Sequence, residues 1–337
     1  MVDLSTNYAG LTLKNPLVVS SSPLCKEIGH LRRMEDAGAA AIVLHSLFEE
    51  QINIESNEID KYLWSSAEVS AEATNYYPNL ENFGIGPDAY LEHIRKAKEA
   101  VSVPIFASLN GVSEGGWVRY AKLMEEAGAD GIELNIYFLA TDGREDSAAV
   151  EDQYVHLVQA LRVQTKVPLT VKIGPYFSSM TNFAQRLDAA GANALVIFNR
   201  FYQPDFNLST LEVVPDLELS NSSELTLRLH WAAVLFSRIK ADIAITGGVH
   251  SPADVIKSMM AGARVAMTTS ALIENGIDVM RSMLSGVEGW MDKNLYQSIP
   301  QMQGSMSQEK VSNPAAFNRA NYMKVLSSYA LRDLTAK

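Results

Sequence analysis

Trp117-Val118-Arg119-Tyr120-Ala121-Lys122-Leu123-Met124-Glu125-Glu126-Ala127-Gly128-Ala129-Asp130-Gly131-Ile132-Glu133-Leu134-Asn135 is the stretch on which the fold turns. Its first part reads as an amphipathic helix with Lys122, Glu125 and Glu126 on the solvent side. Ala127-Gly128-Ala129 ends that helix, because glycine adopts the positive φ of a helix C-cap at no steric cost. The short apolar run from Gly131 to Leu134 then reads as a buried parallel strand. The same signature recurs at Ala37-Gly38-Ala39, Ala190-Gly191-Ala192 and Ala261-Gly262-Ala263, each followed by an apolar run: Ala40 to Leu44, Asn193 to Ile197 and Arg264 to Met267. Two further runs, Val103 to Ala107 and Val167 to Lys172, open with a Val-Pro pair, and Asn15 to Val19 and Asp242 to Thr246 complete a set of eight. With helical patterns between most of them and right-handed crossovers, eight such units make an α/β chain of the closed (β/α)8 TIM-barrel class. A doubly wound open sheet is the alternative, but no Gly-x-Gly-x-x-Gly follows an early strand.

The chain of 337 residues exceeds the ~250 typical of this fold, and the excess falls after strand 2, after strand 6 and beyond Asn294. The expectation is one domain over 1–337, with lid insertions at about 49–82 and 201–224 over the C-terminal mouth of the barrel. A net charge of −11 and the absence of any Lys/Arg run argue against a nucleic-acid partner. A single cysteine, Cys25, rules out a disulfide framework and any cysteine-ligated cluster within the chain, so electrons leaving it would pass to a separate acceptor. Without a basic-then-apolar leader or an apolar run of about 18 residues, the chain is expected to be cytoplasmic, with no membrane partner.

Barrel chemistry sits at the C-terminal strand ends, so the fold nominates positions directly. Those ends are Ser20-Ser21-Ser22, His45-Ser46, Ser108 to Gly111, Asn135-Ile136-Tyr137, Lys172, Asn199-Arg200, Thr246-Gly247-Gly248 and Thr268-Thr269-Ser270. This ring is polar but lacks carboxylates and paired histidines, which disfavours metal hydrolysis and carboxylate-pair glycosidase chemistry and leaves no metal site in prospect. Gly247-Gly248 with Thr269-Ser270 falls where many barrels bind a phosphate, although a glycine pair also suits a simple turn. Lys172 is the single cation on an apolar strand; it either faces an electron-rich ligand or snorkels to the rim. Asn135 and Asn199 suit a flat heterocycle because amides donate and accept without titrating, and either could instead cap a loop. His45 reads equally as a hydrogen-bonded core histidine. Cys25, with no histidine or acid signal nearby, reads as inert.

From Leu11 to Glu274 the chain resembles the dihydroorotate dehydrogenases, in particular the class 1 branch and its bacterial dihydroorotate dehydrogenase-like members. The landmarks are Asn15-Pro16 leading to Ser20-Ser21-Ser22, Glu133-Leu134-Asn135, Val171-Lys172 with Pro175-Tyr176-Phe177, Thr246-Gly247-Gly248-Val249, and Gly262-Ala263 leading to Thr269-Ser270-Ala271-Leu272. The resemblance implies an FMN-dependent oxidoreductase of pyrimidine biosynthesis that converts dihydroorotate to orotate, or acts on a related flat small substrate, and works as a homodimer. It places Ser20, Ser21 and His45 against the flavin, and Lys172 at its pyrimidine edge, stabilising negative charge. Gly247, Gly248, Thr269 and Ser270 would hold the phosphate, and Asn75, Asn135 and Asn199 would face the substrate, with Lys172, Asn135 and Asn199 the catalytic set.

The departures from the family pattern are as informative. Phe138 stands where the family carries a Cys or Ser base, and phenylalanine accepts no proton; Thr141 and Asp142 are the next polar residues of that loop. His45 replaces a lysine, and Tyr76-Tyr77-Pro78 bulks the loop beyond Asn75. Two other functions therefore stand beside the oxidoreductase: a flavin-binding protein without dihydroorotate turnover, and a phosphate-binding lyase that forms a Schiff base through Lys172.

Overall fold

The computed structural model describes residues 2–52, 86–113, 115–201, 203–214 and 218–327. Eight parallel strands close into a barrel: β1 (Leu17–Val19), β2 (Ile42–Phe48), β3 (Ile105–Asn110), β4 (Gly131–Asn135), β5 (Leu169–Ile173), β6 (Ala194–Ile197), β7 (Asp242–Thr246) and β8 (Val265–Thr268). Each expected strand is present, and β8 pairs with β1 to complete the ring. The four Ala-Gly-Ala segments all end helices with glycine at positive φ, at +107° for Gly38, +101° for Gly128, +104° for Gly191 and +121° for Gly262. In each, the second alanine's N–H returns to a carbonyl five residues back, as in Ala129 N to Met124 O and Ala263 N to Ser258 O, which is the Schellman closure.

Strand alternation sorts the side chains into two shells. Leu17, Leu44, Ile105, Leu134 and Val171 point outward into the main core beneath the helices. Val18, Val43, Phe106, Ala194, Val196, Ala244 and Val265 point inward and fill the N-terminal half of the barrel. An N-terminal hairpin, Thr6–Tyr8 paired with Leu11–Leu13, inserts Tyr8 and Ala9 into that inner cluster. It is tied down by Ala9 N–H donating to Asp242 Oδ2 at 2.8 Å and by Thr6 Oγ1 donating to the Arg264 carbonyl at 3.1 Å. The N-terminal end of the barrel is thereby plugged with apolar side chains, which leaves the opposite end for polar chemistry.

The insertion after β6 carries an exposed hairpin, Asp205–Asn207 with Glu212–Val214, before the chain returns through Glu218 to Ser220. Of the insertion after β2, only its first turn is described. There Glu49 accepts from Val112 N at 2.6 Å and from Ser113 N and Oγ at 3.1 and 3.0 Å, joining it to the loop after β3. The rest of that insertion, with Asn75, Tyr76, Tyr77 and Pro78, lies outside the described residues. No helix among the described residues is long and apolar enough to cross a membrane.

Candidate active site

Inward-facing positions change from apolar to polar toward the C-terminal strand ends. Ser108 on β3 lies beside Glu133 on β4, which lies beside Thr170 on β5; one layer higher, Asn110, Asn135 and Lys172 are register neighbours. Lys172 is only 8% exposed, and its Nζ lies 3.7 Å from Oε1 of Glu133, which is fully buried. That separation is too long for a hydrogen bond, so the attraction is that of an ion pair. Neither Glu133 oxygen has a hydrogen-bond partner among the described residues. Burial pushes the Glu133 carboxyl above its ordinary range, and the Lys172 charge works against that rise.

Around this pair runs a trough across the barrel mouth. One part, of about 310 Å³, is lined by Ser21, Lys26, His45, Ser46, Asn135 and Lys172. The other, of about 230 Å³, is lined by Ser20, Ser21, Lys172, Arg228, Gly247, Gly248, Thr269 and Ser270 among others. Shared walls at Ser21, Ser22, Pro23 and Lys172 join the two, with Lys172 at the junction. Hydroxyls brace the trough's floor, Ser46 Oγ lying 2.8 Å from Ser108 Oγ and 3.3 Å from Ser21 Oγ. Tyr90 OH accepts from Ser108 N–H at 2.9 Å.

His45 departs from the satisfied core histidine that was its alternative reading: neither ring nitrogen has a partner among the described residues. Its ring stands edge-on to Tyr90 at 5.1 Å and lies 5.2 Å from that of His93. Burial, followed by the positive charges of His93 and Lys26, pushes its pKa down to about 4, so the imidazole is neutral at pH 7. The lone thiol, Cys25, is buried and pushed up to about 11 by that burial, in keeping with an inert cysteine.

At the other end, Gly247 and Gly248 both have φ of +84°, a conformation side chains strain to reach. A Cβ on Gly248 would fall 2.6 Å from the Leu225 nitrogen, and one on Gly247 would fall 2.7 Å from Nη2 of Arg228. Arg228 itself is buried, its Nε donating to the Thr246 carbonyl at 2.7 Å and its Nη1 to the Glu224 carbonyl at 2.8 Å. Gly248 N–H points at Ser220 Oγ at 3.2 Å, and that hydroxyl donates to Ser270 Oγ at 3.0 Å. Thr269 lines the trough, but its hydroxyl is committed to the Ser20 carbonyl at 2.9 Å.

Ser20, Ser21, His45, Asn135, Lys172, Gly247, Gly248, Thr269 and Ser270 thus meet around one trough. Asn199 and Phe138 do not line it; they line a neighbouring lateral cavity, where Asn199 Nδ2 donates to the Ile136 carbonyl at 3.0 Å. Asp142, one candidate for a replacement base, is chelated by the Arg144 guanidinium at 2.6 to 3.0 Å, which holds its carboxyl below the usual range. Sequence reasoning missed Glu133 as a partner of Lys172, although both sit at inward positions of adjacent strands. It also missed Arg228 and Ser220, which reach the trough from a helix and an insertion whose local sequence carries no such signal.

The family model described as dihydroorotate dehydrogenase matches residues 3–291. The chain belongs to the dihydroorotate dehydrogenase family. It is 28% identical over 312 residues to the dihydroorotate dehydrogenase B (NAD(+)) catalytic subunit of Thermoplasma volcanium, covering 90% of this chain and 98% of that relative. It is 24% identical over 316 residues to the dihydroorotate dehydrogenase A (fumarate) of Lactococcus lactis, covering 90% and 99%. As a member of the family it is an oxidoreductase of the dihydroorotate dehydrogenase type, acting on a CH–CH bond. The Schiff-base alternative gives way on chemical grounds too, since nucleophilic lysines are freed by apolar or cationic surroundings and Lys172 has a carboxylate beside it.

Proposed function

We propose that the trough binds FMN and that the protein uses it to dehydrogenate a flat, small substrate, dihydroorotate or a relative of it. The observation that carries this reading is the coincidence, in one trough, of a two-glycine cradle that admits no Cβ and of buried polar atoms that lack partners among the described residues. These atoms include Asn135 Oδ1, both nitrogens of His45 and Arg200 Nε. Such groups are costly to bury unless a ligand completes them. Gly247, Gly248 and Ser270, with Thr269 at the wall, would hold the phosphate, and Arg228 behind the glycines would offset its charge. Ser20, Ser21, His45 and Asn135 would contact the ring system. Bound there, FMN would supply the hydride-accepting chemistry of a CH–CH dehydrogenation.

The chain's own part is orientation and electrostatics. Lys172, steadied by Glu133, would sit at the ring edge that gains negative charge, and the fixed position of that charge avoids reorganisation during the reaction. Asn199, anchored to the Ile136 carbonyl, and Asn75 would orient the substrate. Because the chain has a single, buried cysteine, no cysteine-ligated cluster of its own takes the electrons onward, and a separate acceptor would do so. A cytoplasmic homodimer completes the proposal. Purification under non-denaturing conditions should yield a yellow protein that releases FMN on denaturation. A colourless protein that also fails to take up added FMN would remove the reading.

A further inference from the structure

A carboxylate buried as deeply as Glu133 is costly unless its oxygens are satisfied, and here they are not. Both lack a hydrogen-bond partner among the described residues, and the charge that answers them is the Lys172 ammonium, 3.7 Å away and one layer nearer the mouth. The elements packed around Glu133 bring no second cation among the described residues. Its register neighbours are Ser108 on β3 and Thr170 on β5, and the Thr170 hydroxyl donates to the Ile132 carbonyl at 3.3 Å. The N-terminal hairpin presents Tyr8 and the helix Pro87–Ala100 presents Tyr90, and burial pushes both phenols upward, so both stay neutral. In the trough above, His45 is neutral at pH 7, Lys26 is exposed, and Arg200 and Arg228 both lie against Glu224.

Lys172 and Glu133 therefore form a unit without net charge. Where FMN occupies the trough, Lys172 also faces the ring edge that becomes negative on two-electron reduction. One ammonium would then answer two anions, and the barrel interior would carry an uncompensated negative charge. Of the two anions Glu133 is the one enclosed without hydrogen bonds, and its burial already favours the neutral form. A proton on this carboxylate restores the balance at the lowest cost.

We infer that Glu133 is a proton store: it takes up one proton from solvent when the bound flavin is reduced and returns it on reoxidation, acting through Lys172 as a positioning residue. Reduction brings two electrons and one proton to the ring, which becomes an anion. A second proton, from bulk water, ends on a Glu133 oxygen, so ring, Lys172 and Glu133 together keep the same net charge. The inference rests on the FMN reading and adds to it a group that couples charge at the ring to a proton inside the barrel.

Electrochemical reduction of the FMN-loaded protein, followed by infrared difference spectroscopy, tests this without any organic substrate. The expected result is a protonated-carboxyl C=O band that appears on reduction, disappears on reoxidation, shifts when glutamate is labelled with carbon-13, and is missing from Glu133→Gln. The midpoint potential should fall with pH as for two protons per two electrons in the parent and for one in Glu133→Gln, a loss of about 30 mV per pH unit from the slope. The band in the parent protein needs no variant, so a poorly folded Glu133→Gln does not shield the inference. A carboxyl band already present before reduction, no band on reduction, a band that persists in Glu133→Gln, or an unchanged slope in that variant would overturn it. A protein that takes up no FMN defeats the flavin reading and this inference with it, whereas one that binds and reduces FMN without the band defeats the inference alone.

Discussion

Lys172 and Glu133 are worth little as an isolated attraction, yet removing either alone leaves a charge in the barrel interior. Breaking a buried pair by deleting one partner typically costs roughly 3 kcal/mol or more, because the survivor is left uncompensated. Lys172→Ala should therefore both weaken FMN binding and lower the urea midpoint. Adding Glu133→Gln to it should restore much of the stability and none of the flavin affinity. Lys166, exposed just before β5, is the control, and its change to Ala should stay within about 0.5 kcal/mol of the parent and bind FMN normally. Equal effects at the two lysines would mean that Lys172 does not face the ligand. His45 supplies a pH test at the same scale. Its pKa is about 4 in the folded protein against 6.5 in an unfolded chain, so between these values the unfolded state binds more protons. The stability it contributes is complete above about pH 6.5 and is lost as pH falls through 4, on the order of 3 kcal/mol in all. His93, also lowered by burial, adds in the same direction. Replacing His45 with Gln should flatten stability across that window, as measured by urea unfolding at pH 7 and pH 4.5. An unchanged slope would show that the imidazole is not buried neutral.

At the scale of elements, the join between helix and strand carries most of the specification. Ala127-Gly128-Ala129 is followed at Gly131 by a strand start with no room for a side chain, since a Cβ there would lie 2.4 Å from Cε1 of Phe106. Phe106 is among the largest side chains of the barrel's inner cluster and stacks obliquely on Tyr8 at 5.9 Å, so its ring cannot retreat cheaply. Gly131→Ala should cost about 1 to 3 kcal/mol by overpacking, and Phe106→Leu in the same chain should recover part of it; additive losses would place the strain elsewhere. These joins are also why the barrel was legible in the sequence: a repeated cap followed by an apolar run is a local signal, repeated at every second unit. The N-terminal hairpin was not legible, because its turn places Ala9 at φ +51° ahead of Gly10 at +86°, and alanine gives no hint of a left-handed position. Strand β2 runs on to Phe48 instead of ending near Leu44, with a register shift between Val43 and Ser46 that no periodicity announces. Within the site, Asn135 and Lys172 could be nominated from strand ends alone. Arg228 could not, because a helical arginine looks solvent-exposed until the tertiary fold buries it against Thr246.

For the whole molecule, the plugged apolar floor and the polar mouth leave one open end, and at that end cationic trough and neutral cavity lie side by side. Phe138 belongs to the neutral side: it lines the lateral cavity, with its N–H directed at Tyr154 OH at 3.4 Å. If FMN binds in the trough as proposed and the loop after β4 faces the substrate, the Phe138 ring occupies the place where the resemblance implies a thiol or hydroxyl that takes the substrate's proton. Proton removal by a positioned base is typically worth ~10²–10⁴-fold, and Asp142, tied up by Arg144, is a poor substitute. Anaerobic dihydroorotate should therefore bleach the bound flavin slowly or not at all. Phe138→Cys should raise that rate only if Asn75, Asn135 and Asn199 still form a pocket for it, so the gain should vanish when Asn199→Ala is added. Rapid bleaching by dihydroorotate in the unmodified protein would defeat this expectation, since it would demand a base supplied from elsewhere. Thr141, on the same loop and lining the same cavity, would then be the first residue to replace.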